Sequence, residues 1–182
     1  MRWTLRPGET LHAPAFAGHH TSGGFGAASR GPPTTTGRTA PLRFRFHVAM
    51  AGGLGLGGDL TGWSEAELAE AAALVARYKQ IRPLVQRGRR HRLTGGGGVT
   101  AVHHASEDGT DHAVLVWRPV TRFGHQPPPA LALPALDPTA RYLDPDEGIV
   151  HSGAVLTRYG LELRLPPGDY ASRLIPLRRV AR

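Results

Sequence analysis

From Thr94 onward the chain is a succession of short apolar runs cut apart by turn chemistry. "AVLVWRPV", "LALPAL", "GAVLT", "LELRL" and "SRLIPL" are five to eight residues long, and "EDGT", "DP", "PDEG" and "PPGD" lie between them. Asp, Gly and Pro in such clusters supply the backbone angles that tight turns need. Runs this short, repeated this often, suit strands rather than helices and predict an antiparallel β-sandwich over 94–182. No internal repeat interrupts the pattern.

The preceding stretch has a different period. Ser64 is followed three residues later by Glu67, a capping box that opens a helix. Leu68, Ala71, Ala72, Val75 and Tyr78 recur at helical spacing and are expected to form its apolar stripe. Pro83 lacks a backbone N–H and is expected to break the helix, leaving "RPLVQRG" as a separate turn. Before it, Phe44, Phe46, Val48 and Met50 alternate with Arg45, His47 and Ala49, which predicts a strand. Residues 42–93 therefore read as one strand–helix unit. Residues 31–41 hold two adjacent prolines and a third at the end, with no apolar period, and read as a junction. Residues 1–30 read as the remnant of another β domain.

The net charge of +8 raises the question of nucleic acid. Lys79 is the only lysine and asparagine is absent, a composition that fits GC-rich coding. The tightest cluster, Arg87-Gly88-Arg89-Arg90-His91-Arg92, follows a helix, where cations complement the C-terminal dipole. It has no interleaved aromatics to stack on bases, so nucleic acid is not the expected partner. Cysteine is absent, which excludes disulfides and thiolate metal sites. No stretch is apolar for long enough to span a bilayer, and no signal peptide is recognisable, so the expectation is a cytoplasmic protein.

The motif-like residues are weak carriers of chemistry. Gly53-Leu54-Gly55-Leu56-Gly57-Gly58 spells a dinucleotide fingerprint, yet its helix begins only at Ser64, too late to receive a pyrophosphate. No cofactor is expected. His19-His20 and His103-His104 are adjacent pairs whose side chains diverge on an extended chain, so they are expected to be solvated or loop histidines and not metal ligands. Ser29 and Ser152 lie in no nucleophile motif. Most carboxylates sit in turns or in the first turns of the helix. Asp59 differs: it follows a Gly-rich turn at the end of the expected strand, the face on which barrel enzymes carry their sites.

"RFHVAMAGGLGLGGDLTGWSEAELAEAAALVARYKQIRPLVQRG" resembles the last strand and helix of the catalytic barrel in the α-galactosidases of glycoside hydrolase family 36. "ASEDGTDHAVLVWRP", "LDPTARY" and "SGAVLTRYGLELRLPPGDYASRLIPLRR" resemble that family's C-terminal β-sandwich. Trp3, Pro7-Gly8-Glu9, Phe16-Ala17-Gly18 and Gly24–Arg30 resemble the end of its N-terminal β domain, which implies an internal deletion at residues 31–37. The resemblance implies a mixed, mainly β fold: a C-terminal antiparallel sandwich preceded by one strand–helix unit left over from a (β/α)8 barrel. It also implies a retaining hydrolase of terminal α-galactosyl residues, whose two carboxyls stand about 5–5.5 Å apart. The family carries those carboxyls in a Lys-Trp-Asp and a Ser-Asp-Asn segment. Trp3, Trp63 and Trp117 are followed by Thr4, Ser64 and Arg118, and Asp-Asn cannot occur without asparagine. No catalytic residue carries over; Gly57, Gly58 and Asp59 remain as the rim of a former pocket. The expectation is a chain inactive alone, with an α-galactoside or other carbohydrate as its ligand by family. The alternative is a non-catalytic carbohydrate-binding or assembly module. Whether it forms a homo-oligomer is left open.

Overall fold

The computed structural model describes residues 40–56, 60–121 and 128–181, without the side chain of Thr94. Its elements run α1 (Leu42–Met50), α2 (Glu65–Arg87), β1 (Arg89–Thr94), β2 (Thr100–Ala105), β3 (Asp111–Arg118), β4 (Arg141–Asp144), β5 (Ile149–Ser152), α3 (Gly153–Arg158) and β6 (Ala171–Val180). The strands form one six-stranded sheet in the order β1-β2-β3-β6-β4-β5. All its pairings are antiparallel. The mainly β, antiparallel architecture expected from the turn-punctuated sequence is present.

Both faces of this sheet are covered. Val102, Ala113, Leu115, Trp117 and Leu174 project from one face into a core shared with α1 and α2. Ala101, Val114, Val116, Ile175 and Leu177 project from the other, against Leu131, Leu133, Leu136, Leu156, Leu161 and Leu163. Two-sided burial explains why β3 is buried at every position from His112 to Arg118. A central strand covered on both sides loses the alternation of a half-exposed one.

The second layer departs from the expected strands. "LALPAL" and "LELRL" contribute a single bridge, Leu131 to Leu161, with the rest irregular or turn. "GAVLT" is the helix α3. Their leucines are buried as strand leucines would be, so the apolar pattern located the core while leaving the backbone form open. Close approach decides the path here: Gly160 sits at φ +96°, and a Cβ on it would lie 2.6 Å from the Leu131 carbonyl carbon.

On the helical side, the strand expected over Phe44–Met50 is the helix α1. Leu42, Phe46, Ala49 and Met50 are buried, the i, i+4, i+7, i+8 set of a helical stripe. The alternation seen in Phe44, Phe46, Val48 and Met50 left out Leu42 and Ala49, which complete that stripe. Phe44 instead meets Tyr170 edge to face, with ring centroids 5.3 Å apart. The long helix starts where the capping box placed it. Glu67 N–H donates to Ser64 Oγ at 3.3 Å, and Ser64 N–H donates to the Glu67 carboxylate at 2.8 Å. Its buried stripe is Ala71, Leu74, Tyr78 and Ile81. Leu68, 42% exposed, and Ala72 face outward, a rotation from the expected stripe. Pro83 does not end the helix, which continues to Arg87. An interior proline costs about 3 kcal/mol. Pro83 lies exposed, while buried Ile81 and half-buried Leu84 and Val85 dock the same turns on the core.

Phe46→Ala should lower unfolding stability by about 3–5 kcal/mol, because a fully buried ring is lost at the α1–sheet junction. A loss under 1 kcal/mol by denaturant titration would mean that α1 is not part of the cooperative unit. Gly160→Ala should cost about 2 kcal/mol or more, since both its backbone angle and its space exclude a methyl.

Candidate functional site

Gly57, Gly58 and Asp59 lie outside the described residues. The segments flanking them are fixed in the helical-side core. Leu54 and Leu56 pack against it, Trp63 is buried within it, and Tyr78 Oη donates to the Gly52 carbonyl at 2.9 Å. The described residues on both sides of that segment thus belong to the helical-side core. His19-His20 and Ser29 also lie outside the described residues.

The most chemically distinctive described residues belong to β2. His103 and His104 were expected in loop or solvent; they are 0% and 1% exposed. Their divergence holds, since His103 shares a face with Val114-side neighbours while His104 turns toward the helices. The burial has a simple cause: β2 lies between β1 and β3, and both of its faces are covered.

His103 belongs to a row of rings. His91 lies 5.8 Å from it, His112 5.1 Å on its other side, and Tyr142 stands edge-on 5.3 Å beyond His112. The hydrogen bonds assign the tautomers. His112 Nε2 faces the Gly109 carbonyl at 3.1 Å, an acceptor only, so Nε2 carries the proton. His112 Nδ1 must then accept, and His103 Nε2–H donates to it at 3.0 Å. That leaves His103 Nδ1 with a lone pair, buried and without a partner. Burial and the neighbouring His112 push the His103 pKa down to about 3. Burial also lowers His112, against a partial offset from the Gly109 carbonyl. On the opposite face burial takes His104 down to about 4, and does the same for His47, which pairs with Ser172 Oγ at 2.9 Å. These are neutral histidines sealed into layer contacts.

Next to the histidine row opens a cleft of about 320 Å³, lined by Arg89, His91, Glu107, Asp108, Tyr142 and Arg179 among others. Two of its carboxylates, those of Asp108 and Asp137, are already engaged. Asp108 accepts from Ser106 Oγ at 2.6 Å and from the Thr110 hydroxyl and amide at 2.8 and 3.1 Å, which hold it at about 2. Asp137 accepts from Arg179 and Thr139. Glu147, outside the cleft, is also lowered, by its hydrogen bond from Arg173. A glycosidase acid must instead be held protonated near neutrality. The carboxyl chemistry that can be assigned thus runs opposite to a general acid. Among the described residues no group of three or more metal-ligating side chains is placed to hold an ion. No described helix is long and apolar enough to cross a membrane.

Helices cover one face of this sheet domain and a leucine layer the other. Residues 99–177 match the family model "Glycosyl hydrolase family 36 C-terminal domain", and residues 18–88 match the model "Melibiase". The chain belongs to glycoside hydrolase family 36. It is 36% identical over 183 residues to a probable α-galactosidase C of Aspergillus flavus, spanning 98% of this chain and 23% of that protein. It is 34% identical over 152 residues to α-galactosidase AgaA of Geobacillus stearothermophilus, spanning 82% of this chain and 20% of the relative. The crystal structure of that AgaA superposes with a TM-score of 0.74 at 33% identity, over 81% of this chain and 20% of the other. The chain thus spans about a fifth to a quarter of the length of these relatives.

The buried histidines set a pH dependence. Their folded pKa values lie below the ordinary 6.5, so the unfolded chain binds protons first as pH falls. Their contribution is fully present above about pH 6.5 and is lost progressively toward pH 4. The urea midpoint should therefore fall between pH 7 and pH 4.5, and His47→Gln combined with His104→Gln should flatten that fall. An unchanged slope in the double variant would remove these two residues from the effect.

Proposed function

We propose that this chain represents the end of the barrel and the C-terminal domain of an α-galactosidase-type hydrolase, and that it does not cleave α-galactosides by itself. The carrying observation is extent: 98% of the chain is matched by only 23% of the Aspergillus flavus relative. Hydrolysis with retention needs two opposed carboxyls across a sugar-sized pocket. The Trp-Asp and Asp-Asn pairs that the family resemblance associates with them are absent from the sequence. The Melibiase match also runs unbroken from residue 18 to 88, across the segment read as a junction. Together with the 183-residue alignment, this supports one continuous stretch of the relatives over two distant stretches joined by a deletion.

In this reading the domain's work is mechanical. The α2 capping box, the α1 stripe and the sheet hold the last barrel segment as one packed body. The test is direct: purified chain incubated with p-nitrophenyl α-galactoside should release p-nitrophenol no faster than buffer. Release above that rate, abolished by Asp59→Ala, overturns the proposal.

A second reading, a non-catalytic carbohydrate-binding module, is favoured by the polar cleft of Arg89, His91, Tyr142 and Arg179. A similar solved structure, of AgaA from Geobacillus stearothermophilus, is of a complex with raffinose. Calorimetric titration with raffinose separates the two: saturable heat competed by galactose, and abolished by Arg179→Ala, supports the module.

A further inference from the structure

We propose that the free edge of β1 is a docking site for an extended acidic peptide, taken up as a seventh strand. Among the described residues β1 is hydrogen-bonded to β2 alone and forms one end of the sheet. In an antiparallel pair, alternate residues turn their N–H and C=O away from the partner, so the outer side of β1 presents a ladder of donors and acceptors. Such an edge recruits a strand unless something prevents it.

The side chains state which strand. Residues 71–106 contain no Asp or Glu. Within them Arg82 and Arg87 end α2, and Arg89, Arg90 and Arg92 occupy β1; all five are exposed. None takes part in an ion pair among the described residues, whereas Arg43, Arg77, Arg173, Arg178 and Arg179 all do. The register divides the β1 charges between the faces. Arg90 and Arg92 stand opposite His104 and Val102 on the helical side, while Arg89 and His91 stand opposite Ala105 and His103 on the other. A strand laid along this edge meets cations with the side chains of both its faces. Complementary charge would then add to backbone pairing, as in strand-addition complexes.

Other occupants fit less well. Residues 1–39 carry Glu9 as their one acid against four arginines, so this chain's own N-terminal segment repels the edge. The acidic turn of a second copy, Asp144-Pro145-Asp146-Glu147, is already bound within its own chain: Asp146 to Arg77, Glu147 to Arg173, and Asp144 Oδ1 to the Asp146 and Glu147 amides. Nucleic acid would satisfy the arginines while leaving the strand edge unpaired, and β1 offers it no aromatic besides His91. A purely protective role, in which the arginines only prevent edge pairing, is the remaining competitor.

The experiment is fluorescence anisotropy of the full chain with a labelled octapeptide of alternating glutamate and valine, at low and physiological ionic strength. Saturable binding is expected. The same peptide N-methylated at every amide, and the variant Arg90→Gln/Arg92→Gln, should each bind at least about tenfold more weakly. The variant's circular dichroism and unfolding midpoint should match the parent, because the replaced side chains are exposed. Equal affinity for the N-methylated peptide would reduce the effect to charge alone and overturn strand addition. So would tighter binding of a single-stranded RNA of equal charge, concentration-dependent self-association that excludes the peptide, or no saturation at all.

Discussion

The pairing of β3 with β6 is the contact on which the rest of this fold rests. Asp111–Arg118 and Ala171–Arg178 lie in continuous antiparallel register at the middle of the sheet. Leu115 and Leu174 give one face to the helices, while Val114 and Ile175 give the other to the leucine layer. A hydrophobic sheet face is unstable in water until something covers it. Here two unlike coverings, one helical and one irregular, meet across a single sheet. That arrangement ties α1 and α2 to the sheet as one body.

The same two-sided burial explains the electrostatics. Histidines on β2 and α1 are held neutral chiefly by burial, and Arg43 and Arg77 beside His47 and Arg90 beside His104 further oppose their protonation. Carboxylates collect in the opposite condition, at turns and in exposed ion pairs, where hydrogen bonds keep Asp108 and Glu147 ionised. His47, His103 and His104 are thus buried bases without protons, while Asp108 and Glu147 are acids kept ionised at the surface.

Charge is unevenly spread over this frame. One end of the sheet ends in β5, whose hairpin acids are tied to Arg77 and Arg173, and the other ends in β1, whose arginines are tied to nothing described. Compensation within the chain at one edge and its lack at the other gives the sheet a polarity that net charge alone conceals.

Sequence patterns carried much of this. The Ser64–Glu67 pair located the start of α2 because a capping box is satisfied within four residues. Turn clusters located the antiparallel region, and leucines located the second core. The matched family was legible in long stretches such as "YKQIRPLVQRG". What needed the tertiary structure was every choice decided by a distant partner. Phe46 fits a strand or a helix until β3 and β6 supply a surface that takes Leu42, Phe46 and Met50 together. Pro83 ends a helix in isolation, yet docking of Ile81 and Leu84 carries α2 through it. His103 and His104 look like loop residues until β1 and β3 close around them. Local chemistry determined where the chain turns and caps; burial, which depends on residues a hundred positions away, decided which form the segments between took and which side chains lost their protons.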